Sequence, residues 1–540
     1  MSTLLPLLRQ RLRRDAVQLI LWIGGTAALA VSGFAGVVTS YGDAEQRTAL
    51  LATVMANPVI LLFRGLPSGA GESQMVVFLL LPWLLLLAAL MSSFLAVRHT
   101  RGDEEDGRLE LLSATPAGRW MPLVATLVHG IVANIALGAL VGAAFLANGA
   151  AVTGSVLVGV SCTLVGVVFL GVGLVAAQLM PTSRGANALA VWVLVGTFVL
   201  AGIGNTLGTP SDDLTRMYSS WVTWLSPFGW AENVRAFDAD AAGPVGLLGI
   251  ASALFIAAAA ALQSRRDIGG AFVAERTGRA RARADFGSNL ALITRQSTAS
   301  IVGWVVGGLL TGVLATSLGA VANQIGGQNP SVAEVLDKLA GGGGDLERGI
   351  VVVFFLMLGI LAACAGVQTI ALARREETRG TAEIVLATPI SRVRWLADYL
   401  IVAMVAAALT LVAGTAGAVF GALTTDDTGT LVRDAAIAAA GQLPAAWVFV
   451  GLTALIFVLA PRLTIAGGWV LVMVAAMIGL FGPLFGMAES ATKVSPFAAA
   501  PSPTTDGIDA GGLWWIVIAV VALTAASVAA MRRRELAPAG

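Results

Sequence analysis

Apolar residues along this chain gather into long runs separated by short polar segments rich in Arg, Gly and Pro. Twelve runs stand out, at roughly 17–40, 75–97, 122–147, 153–180, 187–206, 244–263, 299–323, 350–373, 399–423, 434–460, 466–486 and 511–531. About 20 apolar residues are enough to cross a bilayer as a helix. Lipid forces backbone polar groups to be satisfied within each crossing segment, so runs of this kind predict helices. The fold class is therefore an all-α polytopic membrane protein. Composition agrees: 57% of residues are hydrophobic and 12% charged, against about 25% charged in soluble proteins.

Placement of Arg and Lys orients the spans. With the N-terminus in the cytoplasm, cytoplasmic segments hold 25 of the 33 basic residues and the opposite side holds eight. Both termini are then cytoplasmic. Arg9, Arg11, Arg13 and Arg14 precede the first run. They resemble the basic start of a signal peptide, but the run is long enough to remain as a first helix. Leu4, Leu5, Leu8 and Leu12 share one helical face of this basic segment, which predicts an amphipathic helix in the membrane interface. A second such helix is expected at 276–296, carrying Phe286, Leu290 and Ile293. Trp221, Trp224 and Trp230 suit an interfacial aromatic belt on the outer side. The Gly-rich segment 325–345 reads as flexible.

The chain also repeats itself. Gly107 and Gly380 lie 273 apart in one loop motif, and Pro181 and Pro461 lie 280 apart. Leu225-Ser226-Pro227-Phe228 is answered by Val494-Ser495-Pro496-Phe497, and Arg265-Arg266-Asp267-Ile268 by Arg533-Arg534-Glu535-Leu536. Four landmarks in one order imply two tandem six-helix repeats, 1–270 and 271–540. Six spans per repeat give both the same orientation, related by a pseudo-two-fold axis along the membrane normal.

The motif that should carry function lies after the second span of each repeat. It reads EEDGRLELLSATPAGR at 104–119 and EETRGTAEIVLATPISR at 376–392. Acidic residues favour a helix start, and Pro116 and Pro389 disfavour helix at Thr115 and Thr388. Each copy predicts a short cytoplasmic helix with glutamates and a small apolar patch, able to seat in a groove of a soluble partner. The contact residues expected are Glu104, Glu105, Gly107, Glu110, Leu111, Thr115, Pro116 and Arg119 in the first copy. In the second they are Glu376, Glu377, Gly380, Glu383, Ile384, Thr388, Pro389 and Arg392.

On these loops, the opening helices and the two Ser-Pro-Phe segments, the whole chain resembles permeases of ABC-2 type exporters. It is most similar to the long two-repeat polyketide-antibiotic (tetronasin-type) form. The resemblance implies that the loop after span two is a coupling helix seated on a separate ATPase subunit, in two copies, which binds ATP and Mg. It also implies a cavity lined by spans two and five of each half. That places Phe78, Met91, Phe94, Phe198, Phe354, Phe355, Met357, Met473 and Met477 as candidate contacts for an antibiotic or other drug. Ala498-Ala499-Ala500 replaces Gly229-Trp230-Ala231 after the second Ser-Pro-Phe, which departs from the symmetry.

Other classes find less support. The two lysines, Lys338 after Asp337 and Lys493 after Thr492, cannot complete a phosphate-binding Gly-Lys-Ser/Thr loop, so no ATP site of its own is expected. Cys162 and Cys364 lie in apolar runs and suggest neither a disulfide nor a metal site. Zinc-protease motifs, Ser/His/Asp sets and metal clusters are absent from the spans as read. The alternative is an ion-gradient-driven, twelve-helix carrier of the major-facilitator type. Such carriers place ionisable groups inside the membrane, whereas here Asp398 and Asp434 sit at span edges. His129 stands as a lone internal histidine and reads as a packing residue. Spans without charge favour a hydrophobic or amphipathic substrate.

Overall fold

The structure is a computed structural model that describes residues 4–55, 58–113, 118, 120–267, 269–273, 287–328, 346–423, 428–482, 487–504 and 507–535. Within the described residues, twelve helices are long and apolar enough to cross a membrane. They are α1 (Leu4–Ser40), α2 (Glu72–Glu105), α3 (Met121–Ala147), α4 (Val152–Leu179), α5 (Ser183–Thr206) and α6 (Gly243–Ser264), then α7 (Asn289–Ser317), α8 (Glu347–Thr378), α9 (Arg392–Ala422), α10 (Thr428–Leu459), α11 (Pro461–Leu480) and α12 (Leu513–Met531). The chain is thus an all-α, multi-pass membrane protein. It divides into two compact units, Met1–Thr277 and Gly278–Gly540, each with six of these helices.

In each unit the second and fourth helices form the centre. α2 packs on α4, and α4 also meets α3 and α6; in the other unit α8 packs on α10. Small residues permit the closest approach. A Cβ on Gly138 would lie 2.3 Å from the Gly159 carbonyl oxygen, so α3 and α4 touch backbone to backbone there. Such crossings are how helices associate where lipid supplies no hydrophobic drive.

Two helices are longer than their apolar runs. α2 continues through a π-turn at Arg98–Gly102 to Glu105. α1 begins at Leu4 and passes through another π-turn at Ile20–Gly24, so the leucine-rich opening is one helix with the first span. Its faces also differ from the expected arrangement. Arg11 and Asp15 are buried against the unit, while Leu5 and Leu12 are exposed. The apolar face is left for lipid, and the charged face is taken up by α2 and α3. Of the second opening helix, residues 276–286, including Phe286, lie outside the described residues; Ile293 is buried at the start of α7. Most of 325–345 lies outside them as well.

Between α5 and α6 a two-residue hairpin, β1 (Thr209–Pro210) with β2 (Met217–Tyr218), precedes the first Ser-Pro-Phe. Between α11 and α12 the hairpin, β3 (Ser502–Thr504) with β4 (Gly507–Asp509), follows the second. Trp221 and Trp224 are exposed beside the first hairpin, and Trp230 is half-buried and donates to the Trp224 carbonyl at 2.6 Å.

Candidate functional site

The loops after α2 and α8 begin with the same ion cluster. Arg101 Nη1 lies 3.0 Å from Glu104 Oε2, and Arg266, just beyond α6, lies 2.9 Å from the same oxygen. Arg374 Nη1 lies 2.9 Å from Glu377 Oε2, and Arg534, just beyond α12, lies 2.6 Å from Glu377 Oε1. The glutamates are 5% and 1% exposed, and the four arginines at most 10%. Each cluster ties the end of a unit's second helix to the end of its sixth. Arg101 also donates to the carbonyls of Ala177 and Gly270, and the Arg534 guanidinium lies 4.4 Å from the Phe457 ring centre.

This geometry corrects the sequence reading in two ways. Glu104 and Glu377 face inward, so their carboxylates are not presented to a partner. The register between copies is also shifted by one: Glu104 corresponds to Glu377, and Asp103 to Glu376. Glu376 is buried. Glu105 accepts from the backbone N–H of Ser183 at 2.8 Å and from the Ser183 hydroxyl.

Beyond each cluster comes a glycine in the left-handed region, Gly107 at φ 71° and Gly380 at φ 73°. Such a φ strains any residue with a Cβ, and nothing lies within 4 Å of a Cβ placed at either site. The shared glycine is thus explained by backbone conformation. It turns the chain into a short helix, Arg108–Ser113 in one unit and Thr381–Leu386 in the other. On the second helix Glu383 and Ile384 are exposed, as are Thr388 and Pro389 after it. Ala382 is buried beneath, and Arg392 donates to the Arg534 carbonyl at 2.6 Å. On the first helix Glu110 is exposed. Thr115, Pro116, Arg119 and the side chain of Leu111 lie outside the described residues.

The arrangement is a pair of anchored, short, outward-facing helices, each carrying a carboxylate. Exposed carboxylates on anchored helices can bind a surface. The profile of the family described as "Multidrug efflux system permease Rv1217c, C-terminal domain" matches residues 8–263 and 286–532. The multidrug efflux system permease protein Rv1217c of Mycobacterium tuberculosis (strain ATCC 25618 / H37Rv) is 34% identical over 540 residues, spanning 98% of this chain and 95% of the relative. The chain belongs to this permease family.

Within the permease, the Ser-Pro-Phe segments keep their symmetry despite the Ala498-Ala499-Ala500 replacement. Ser226 donates to the Thr197 carbonyl of α5, and Ser495 to the Ala475 carbonyl of α11, both at 2.7 Å. Phe228 packs on Phe169 of α4, and Phe497 on Phe449 of α10. Only the first segment continues as a helix, Pro227–Glu232.

The candidate cavity residues separate into two groups. Phe78, Met91 and Phe355 are buried, and Phe94, Phe198 and Phe354 are half-buried. Phe94 and Phe198 sit against Trp22 and Trp83. Met357, Met473 and Met477 are exposed on the neighbouring helices α8 and α11. Sequence reasoning missed the inward partners Arg101, Arg266, Arg374 and Arg534. The 273-residue offset that relates the two glycines also relates Arg101 to Arg374, and would have found that pair.

Proposed function

We propose that this permease is the membrane subunit of an ATP-driven multidrug exporter of the ABC-2, tetronasin-type form. It exports hydrophobic or amphipathic compounds across a bacterial plasma membrane, with both termini in the cytoplasm. A separate soluble ATPase, in two copies, binds ATP and Mg and docks on the helices Arg108–Ser113 and Thr381–Leu386. The observation that carries this reading is the duplicated anchored loop: an exposed carboxylate on a short helix whose base is clamped to the end of the unit's sixth helix. A push on such a helix reaches the unit's frame through buried ion pairs and is not absorbed by a loose loop. The exposed methionines of α8 and α11 suit an adaptable apolar substrate surface.

The test replaces the two exposed carboxylates together, Glu110→Ala with Glu383→Ala. Losing one partner of a buried interfacial charge pair costs about 2–5 kcal/mol, so ATPase co-purification should fall at least tenfold while expression and membrane insertion persist. In inverted vesicles, drug uptake by the parent should require ATP and the ATPase and survive an uncoupler. If the double variant binds an ATPase and transports like the parent, docking does not use these helices. Uptake that collapses with the uncoupler while ATP stays high would return the major-facilitator alternative.

A further inference from the structure

The chain has two histidines, and both face the buried Asp15. His99 Nε2 contacts Asp15 Oδ2, and His129 Nε2 lies 3.1 Å from the same oxygen. Asp15 comes from α1, His99 from α2 and His129 from α3. The sequence reading of a lone His129 and uncharged spans is therefore overturned, because the apolar runs end short of the helix segments that bear Asp15 and His99. The three residues have metal-ligand spacing, which the sequence did not suggest. The cluster belongs to the first unit alone, since Leu372 and Val402 stand 273 residues beyond His99 and His129. Its side chains are at most 6% exposed and find partners within their own unit. The arginines that close the second unit are arranged differently.

α12 packs on α10, and both helices end on one side of the membrane, because the single span α11 lies between them. Between their ends opens a cleft of about 720 Å³, walled by Val458, Leu459, Ala526, Ala529, Arg532 and Arg533. Small-molecule sites commonly occupy about 300–1,000 Å³. The apolar part of the wall is open: Leu459 is 68% exposed, and Ala526 and Ala529 are exposed as well. Arg532 and Arg533 are exposed, and among the described residues their side chains make no ion pair or hydrogen bond. Glu535 follows them and pairs with neither. Arg534 completes the wall and is 8% exposed. Its Nη2 donates to both Glu377 oxygens, at 2.6 and 2.8 Å, while Nη1 has no hydrogen-bond partner. Glu377 offsets Arg534, so the charges of Arg532 and Arg533 stand unmatched at the mouth of an apolar cleft.

The guanidinium fork matches a phosphate with paired N–H donors. Basic pockets between membrane helices hold anionic lipid headgroups. A soluble anion would use the arginines and leave the apolar wall in water, whereas a phospholipid uses both. We propose that this cleft seats an anionic phospholipid, with its phosphate on Arg532 and Arg533 and the start of its chains along Val458, Leu459 and Ala526. Basic side chains at a helix end also snorkel to water without any ligand, but that needs neither a cleft nor three arginines in succession. The matching stretch of the first unit has Ser264 where the second has Arg532, so the site belongs to the second unit. Arg534 joins the cleft to the clamp on Glu377, and its carbonyl accepts from Arg392. The seated headgroup therefore lies against the base of the helix Thr381–Leu386. The proposal rests on the membrane spans and not on the exporter reading.

The test adds lipids to the full-length chain in detergent and counts bound molecules by native mass spectrometry. Dioleoyl phosphatidylglycerol and dioleoyl phosphatidylcholine share their chains and differ in headgroup charge. The parent should bind one phosphatidylglycerol about tenfold more tightly than phosphatidylcholine, as attraction to two unmatched arginines requires. Arg532→Ala with Arg533→Ala should abolish that preference. Ala526→Trp keeps every arginine but fills the cleft, and should weaken phosphatidylglycerol binding by a similar factor. Arg265→Ala, which removes an exposed arginine just past α6 in the first unit, should leave binding unchanged. Excess inorganic phosphate should not displace the lipid. Equal binding of the two lipids by the parent would overturn the proposal, and so would parent-like binding by either cleft variant or an equal loss in Arg265→Ala. Displacement by inorganic phosphate would make the cleft a site for a soluble anion and overturn it as well. Should the double arginine variant fail to insert, Ala526→Trp decides.

Discussion

At the scale of single residues, the repeated motif mixes two roles that its letters do not distinguish. Glu104 and Glu377 look like contact residues because they are acidic and precede a helix. They are internal, because arginines from the far ends of their own units close over them. Sequence shows charge and spacing but not which way a side chain faces, and the deciding partners lie 162 and 157 residues away. Removing one partner of a buried ion pair costs about 3–5 kcal/mol, because the other charge is left unpaired. Glu377→Ala should therefore destabilise the second unit, and Glu377→Ala with Arg534→Met should recover part of the loss. Thermal unfolding in nanodiscs reads both. If the single variant unfolds like the parent, the cluster does not hold the loop.

At the scale of elements, helix existence was legible and helix ends were not. Apolar runs show where lipid contacts a helix, but backbone hydrogen bonding continues past them when other helices satisfy the charges. That is why α1 reaches back to Leu4 and α2 runs on to Glu105, and why the histidine cluster was hidden. The Ser-Pro-Phe segments were legible as landmarks, but the sequence did not show that their serines reach back to the fifth helix of each unit. The short helix Pro227–Glu232 adds a buried acid outside the spans. Burial pushes the Glu232 carboxyl up from an ordinary 4.5 to about 8, opposed by a hydrogen bond from Asn205. The folded form therefore holds its proton more tightly than the unfolded chain. That stability is fully present below about pH 4.5 and is lost as pH rises toward 8, by about 3 kcal/mol at neutrality. Glu232→Gln still offers Asn205 an oxygen and cannot ionise. Its melting temperature should match the parent's near pH 4.5 and exceed it near pH 8. A constant difference across that range would place the titrating group elsewhere.

At the scale of the whole molecule, the duplication was legible because separated landmarks recur in one order, and both units build the same clamp from them. The departures from symmetry were less visible: the histidine cluster occurs in one unit, and the hairpins fall on opposite sides of the Ser-Pro-Phe segments. Orientation in the membrane rests on the bias of basic residues, which gathers them on the side of the N-terminus. The structure guides where to probe it. Ser68 is buried and would label poorly from either side, and Ser331 lies outside the described residues. Asp212, beyond α5, and Ser391, after the second motif, are both exposed. Of the native thiols, Cys162 is buried and Cys364 half-buried, so both are replaced by Ala for the assay. In intact cells a membrane-impermeant maleimide should label Asp212→Cys and spare Ser391→Cys, and permeabilisation should expose the second. Labelling of Ser391→Cys in intact cells would place the short helices outside, where no ATP-hydrolysing partner could reach them, and the exporter reading would fall with the topology.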